Sequence, residues 1–188
     1  MSIKRLFIAL ALFVAAVGAA LYLTAPAKQD GGAARDGYAV YENETYGLKA
    51  EYPAAWRTLE DVPGVAVVFH SPPESAEDKY NDNVNIIVED VSGKPGTTAE
   101  AYVERGVAGL RASLDDFRLL GNKPGAVSGR PARLLEYTGR RGEFRLHFLQ
   151  AVTVVGGNAY LVTYVAEEDK YAQFLPLAKR IFASVAIK

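Results

Sequence analysis

The chain has 188 residues, a net charge of −1 and no cysteine. That length suits one domain with an appendage, and a near-neutral balance of 21 basic and 22 acidic residues is not the basic excess of a nucleic-acid binder. Without Cys, disulfides, thiol catalysis, Cys-ligated metals and a lipidated Cys are excluded, so an exported domain of this sequence must hold itself together by packing alone.

Residues 1–27 read as a signal anchor or signal peptide. Lys4 and Arg5 precede an uncharged apolar run from Leu6 to Leu23. As a helix this run is about 27 Å long, close to the hydrocarbon thickness of a bilayer. It exceeds the usual apolar core of a cleaved signal, and Ala25-Pro26-Ala27 is a poor small-x-small site because of its Pro. The reading favoured here is an uncleaved anchor; the alternative is a cleaved signal. Both leave the two cations in the cytoplasm and the rest outside. Residues 28–37, KQDGGAARDG, are small and polar and read as a flexible linker.

The folded part is expected over 38–188. YAVYEN (38–43) is a short edge strand, and YGLKAEYP alternates, with Tyr46, Leu48, Ala50 and Tyr52 on one face. Pro53 ends it, and Trp56, the sole tryptophan, is expected to fold back over the sheet end. VAVVFH (65–70) is an apolar strand and SPPESAEDKYNDN (71–83) a polar loop. NVNIIVEDV (83–91) carries apolar residues on both faces, the mark of an interior strand. Helical spacing then takes over: Tyr102, Val103, Val107, Leu110 and Leu114 form one stripe, with Thr97 or Thr98 as N-cap.

Two short strands, 117–121 and 126–129, are expected around a turn at Asn122-Lys123-Pro124-Gly125. Three long strands follow, 131–139, 143–155 and 159–166, joined by Arg140-Arg141 and by Gly156-Gly157-Asn158. The last element is a helix carrying Tyr171, Phe174, Leu175, Ala178, Ile181, Phe182 and Val185 on one face. Pro176 predicts a kink or a start nearer Leu175. The sum is an α+β fold, a mainly antiparallel central sheet of six to eight strands flanked by helices and preceded by one hydrophobic helix.

The succession YGLKAEYPAAW, VVFHSP, NVNIIVEDV and LQAVTVVGGNAYLVTYVAEEDKYAQF…IFASV resembles the PsbP-like family over roughly 38–188. Its namesake is the extrinsic subunit of photosystem II, and DcrB-like envelope lipoproteins share the fold. The resemblance implies a sheet between helices, export, and an accessory, assembly or adaptor role without catalysis. The photosynthetic members retain calcium and chloride for their complex. Cyanobacterial members are typically lipoproteins, and this chain has no Cys to lipidate.

Candidate chemistry is sparse. His70 ends an apolar strand beside a loop with Glu74, Glu77, Asp78 and Asp82, so His70 with Asp78 is a candidate pair for zinc or manganese. No i, i+3 or i, i+4 ligand spacing accompanies it, and the preferred reading is a strand-end His bonded to its loop. EDKYNDN lacks the central Gly and closing Glu of a calcium loop and reads as a flexible acidic loop. Arg145 and His147 share a strand face, with Arg133, Arg140 and Arg141 nearby, a candidate cationic patch for a phosphate, a lipid head group or an acidic partner. Trp56 would line the cavity of a carrier. No G-x-S-x-G, H-E-x-x-H, Walker or G-x-G-x-x-G motif occurs. The chain is therefore read as a non-enzymatic, cofactor-free binding protein, anchored outside the cytoplasm or secreted to the periplasm. A thylakoid lumen applies only to a photosynthetic source. The expected partners are the membrane and an envelope membrane-protein complex, reached through loops 53–64, 71–83 and 139–143, with no nucleic acid. The alternative is a small-ligand, lipid or metal carrier.

Overall fold

The computed structural model describes residues 32–60 and 62–188. The anchor reading of 1–27 lies outside them, and among the described residues no helix is long and apolar enough to cross a membrane.

The chain opens with β1 (Gly32–Arg35), β2 (Tyr38–Asn43) and β3 (Leu48–Pro53). Strand structure thus begins at Gly32, inside the stretch read as a linker. In β3 the alternation holds: Leu48, Ala50 and Tyr52 are buried, Lys49 and Glu51 exposed. These strands do not extend the main sheet. They form a second, four-stranded sheet of order β1-β2-β3-β11, closed by the C-terminal β11 (Ala186–Ile187), where Ile187 pairs with Leu48. The expected edge strand 38–43 is therefore interior to this small sheet.

The main sheet has seven strands, all antiparallel: β4 (Arg57–Leu59), β5 (Val67–His70), β6 (Asn83–Asp90), β10 (Asn158–Glu167), β9 (Phe144–Val155), β8 (Arg130–Arg141) and β7 (Asp115–Val127), in that spatial order. Both of its faces are apolar, as β6 requires. Val84 and Ile86 join one core with Tyr160, Val162, Tyr164 and Ile181, while Ile87 joins the other with Tyr137, Phe148, Leu161 and Val103. Helix α1 (Ala99–Ser113) covers the second face, and α2 (Tyr171–Ser184) with the small sheet covers the first. The fold is α+β, helices on both faces of the sheet.

Thr98 is the N-cap of α1, its hydroxyl accepting the Ala101 amide at 3.1 Å. Helix α2 starts at Tyr171 and carries Pro176 within it. The residue lies past the first turn and removes one intrahelical donor, the one that would bond the Ala172 carbonyl.

Residues 122–125 form no turn. Asn122, Lys123, Pro124 and Gly125 pair in succession with Leu135, Leu134, Arg133 and Ala132, so β7 is one bulged edge strand. An edge tolerates Pro because half of its N–H groups face no neighbour. Gly125 answers a close approach: a Cβ there would lie 2.6 Å from Leu134 Cγ. Trp56 follows the turn after Pro53, where its amide donates to the Pro53 carbonyl. Its ring is 4% exposed and stands edge-on to Phe174 of α2, centroids 5.8 Å apart. It seals the joint between β3 and α2.

Candidate functional site

Antiparallel pairing gathers the His70 end of β5, the start of β6, the β8–β9 turn and the end of β10 at one end of the sheet. Loops 71–82 and 142–143 therefore meet there, and the Tyr80 ring packs on Phe144 at 5.1 Å. Residues 62–64 follow Leu59, whose partner is Val68, and so lie beyond the opposite end. The expected loop 53–64 is therefore divided: residues 54–56 precede Arg57, the partner of His70, and lie at the same end as the other two loops, while 62–64 do not.

The acidic loop is fastened rather than free. Lys170 Nζ lies 2.6 Å from Glu167, 3.1 Å from Asp78 and 3.8 Å from Glu74. Burial works against the Asp78 carboxylate, but hydrogen bonds from the Glu74 amide, Lys170 and the Tyr80 amide outweigh it and hold its pKa below the usual range. His70 is 2% exposed, with Arg57 and Asn83 opposite it on the two neighbouring strands. Burial, with a lesser push from Arg57, lowers its pKa to about 4, so it is neutral near pH 7. Asp78 is thus committed to Lys170 and two amides. Among the described residues no three His, Asp or Glu side chains form a group able to hold a metal ion.

Asp82, at the loop's base, is 2% exposed. Its Oδ2 lies 3.1 Å from the Tyr164 hydroxyl, which is also 3.0 Å from the Tyr171 carbonyl. A phenol has one proton and a carbonyl can only accept. The one phenol proton cannot serve both acceptors at once: it can go to the Asp82 carboxylate or to the Tyr171 carbonyl, and both contacts are satisfied together when Asp82 is protonated and donates to the Tyr164 oxygen. Burial pushes the Asp82 pKa up to about 7, against the lowering effect of Tyr164.

His147 and Arg145 share a face of β9, as expected, but the wider cationic patch divides. Arg140 pairs with Arg145 and stands beside it, while Arg133 pairs with Val152 and Arg141 with Phe144, both on the opposite face. Arg118, opposite Thr138, joins the Arg140 and Arg145 face. These three arginines, with Thr138, Asp116 and Glu168, line a cup of about 180 Å³. Arg140 lies 3.1 Å from Asp115 and 3.2 Å from Asp116, and Arg145 lies 4.0 Å from Glu168. Arg118 has no signal in the sequence, because two bulges in β7 decide its face.

Next to the cup, on the same face, a groove of about 590 Å³ runs between the outer strands and α2. Leu134, Leu149 and Ala151 line its floor and Leu175 and Phe182 its wall, with Lys123, Lys179 and Glu136 among its polar residues. His147 marks the boundary. Its Nε2 lies 2.9 Å from Glu136, and its ring lies on Tyr171, which also lines the groove. A smaller cavity, about 90 Å³, sits under α1 beside Tyr102, whose hydroxyl donates to Glu89. Trp56 lines none of these three spaces.

A family model for DcrB matches residues 75–178. Among solved structures, this chain is similar to cyanobacterial PsbP (CyanoP) from Synechocystis sp. PCC 6803, with 22% identity and a TM-score of 0.61 over 84% of this chain and 96% of that one. It is similar to LpqN of Mycobacterium tuberculosis, a protein involved in cell envelope biogenesis, with 16% identity and a TM-score of 0.58 over 75% of this chain and 83% of that one. PA94 of Pseudomonas aeruginosa, of unknown function and described as a putative regulator, shares 18% identity and a TM-score of 0.54 over 76% and 91%. No curated protein matches. At these identities the likeness is one of fold.

Proposed function

The chain belongs to the DcrB family, with the fold of the PsbP-like proteins, and on that premise we propose that it is a non-catalytic accessory or adaptor protein, anchored outside the cytoplasm, that binds an envelope membrane-protein complex. The apolar run behind Lys4 and Arg5 supports the anchor. The described role of LpqN in envelope biogenesis supports the compartment. The observation that carries the binding role is the outer-strand face. Strands β7 to β9 offer a groove and a charged cup that α2 leaves open, and Leu120 in the β7 bulge is 55% exposed. Exposed apolar surface beside polar groups is what a docking surface looks like. The fastened 71–82 loop is a rigid border to that face, not the reader of the partner.

A photo-crosslinking residue at Leu120 in intact cells should trap a subunit of a membrane complex, and one at Glu104 on α1 should not. Recovery of the uncrosslinked monomer alone, or of the chain from the cytosol, would overturn the reading. A second reading, an envelope carrier of a small amphipathic ligand, is favoured by the groove itself, whose volume lies within the range of ligand sites.

A further inference from the structure

The groove and the cup are consecutive stretches of one surface. Directly opposed residues of antiparallel strands share a face, so the register stacks the α2 side of β7, β8 and β9 into rows. Lys123, Leu134 and Ala151 form one row, followed by Gly121, Glu136 and Leu149, then Arg118, Thr138 and His147, then Asp115, Arg140 and Arg145. From Leu134 to Arg140 the strand advances about 20 Å. Along that distance the surface changes from aliphatic, walled by Leu175 and Phe182, to guanidinium-lined. Glu136, the acid between the two halves, is engaged by His147.

We propose that this trough binds an anionic lipid, one acyl chain lying against Leu134, Leu149, Leu175 and Phe182 and the phosphate seated among Arg118, Arg140 and Arg145. The assignment rests on the carrier reading and gives it a ligand class. An acyl chain in the groove would remove apolar surface from water. Three guanidiniums share the cup with Asp115, Asp116 and Glu168, and an anion would compete with these carboxylates, none of which, among the described residues, is paired with Arg118 in an ion pair. The existing pairs are exposed: Arg140 is 40% and Arg145 73% accessible at the side chain. Such pairs stabilise little and yield to a better partner, and the planar guanidinium fork matches a phosphate with two parallel hydrogen bonds. Lys123 and Lys179 beside the groove add to the same field.

The test uses the full chain in phosphatidylcholine nanodiscs, with a diazirine-tailed lysophosphatidylglycerol or lysophosphatidylcholine at equal mole fraction. Peptide mapping after irradiation should place adducts around residues 134, 149, 175 and 182, about tenfold more with the anionic lipid, because in the other the choline cation offsets the phosphate and is repelled by the arginines. An Arg118→Gln, Arg145→Gln double variant, altered only at exposed positions, should fall to the neutral-lipid level with its thermal melt unchanged. Leu149→Trp should abolish trough adducts of both lipids. Equal trough labelling by the two head groups, or full anionic labelling of the double variant, overturns the anionic assignment and leaves the carrier reading standing. Absence of trough adducts with either lipid overturns both.

Discussion

The imidazole of His147 lies flat on the ring of Tyr171, centroids 3.6 Å apart and planes within 7° of parallel. The stack ties β9 to the first residue of α2, a helix that has no side-chain N-cap. It pins the start of that helix to the sheet by packing. The His147 bond to Glu136 adds less, because that carboxylate is 44% exposed and can turn to water. His147→Ala should lower stability by about 1–2 kcal/mol, a stacked pair plus a partly exposed hydrogen bond. His147→Phe keeps the stack and should recover most of that loss. Thermal melts followed by circular dichroism compare the three chains; equal losses in the Ala and Phe variants would show that the stack carries nothing.

Asp82 and Tyr164 make stability depend on pH. The carboxyl of Asp82 has its pKa raised by burial from 3.8 to about 7. The folded state therefore holds that proton more tightly than the unfolded chain. Its contribution is complete below about pH 4, is lost as pH rises through 7, and changes by about 1.4 kcal/mol per pH unit between the two values. Asn at position 82 keeps a donor for the Tyr164 oxygen and cannot ionise. Asp82→Asn should be close to the parent near pH 4 and more stable than it near pH 8, by an amount on the order of a few kcal/mol. Denaturant titrations at the two pH values decide this, and a gap between the proteins that does not move with pH sinks it.

The fastened loop gives a local prediction. Lys170 reaches Glu167, Asp78 and Glu74 together, and its pKa is raised, first by the Glu167 hydrogen bond. Its side chain is 30% exposed, so the network stabilises the global fold only modestly. The loop has no strand ladder of its own between Ser71 and Asn83, and Lys170 ties its acids Glu74 and Asp78 to the start of α2. Lys170→Met should leave the melting temperature within a few degrees, on the order of 1 kcal/mol or less. Amides of residues 74–80 should exchange with solvent about tenfold faster, a local opening made easier by about 1.4 kcal/mol. Unchanged exchange across the loop would show that Tyr80 on Phe144 holds it unaided.

What could be read from the residues is what nearby residues decide. Alternation placed Leu48, Ala50 and Tyr52 inward, two-faced apolarity made 83–91 an interior strand, and spacing found the α1 stripe. Long-range pairing was not legible. Ile187 against Leu48 joins the two ends of the domain, and neither segment marks the other. Pro124-Gly125 has turn composition, yet an edge position and Leu134's approach use the same residues inside a strand. The site divides in the same way. His147 and Arg145 were visible as a shared face, but Tyr171 comes to His147 only through α2, and Arg118 joins Arg140 only through bulges. Asp82 sits in an acidic stretch that reads as solvated, and burial of the loop's base depends on Ser71 donating to the Asp82 carbonyl.

On the opposite face, Gly139 carries the seam between β8 and α1. A Cβ at that position would lie 2.8 Å from Leu114 Cβ and 3.1 Å from its Cδ1. Leu114 follows α1 directly, is 4% exposed, and donates its amide to the Leu110 carbonyl at 3.1 Å. It cannot swing aside without opening the helix end. Gly139→Ala should therefore cost about 1–3 kcal/mol through overpacking, despite the better strand propensity of Ala. Leu114→Ala alone should cost about 2–4 kcal/mol through the cavity it leaves. The double variant removes Cγ and Cδ1 from the collision and leaves only the contact with the Cβ of residue 114, which can shift into the space that the leucine side chain vacated. Its loss should be smaller than the sum of the two single losses by about 1 kcal/mol or more, the coupling expected of residues in contact. Denaturant unfolding of the parent, both single variants and the double variant measures that coupling. Losses that simply add would mean that Gly139 owes its place to something other than the close approach of Leu114.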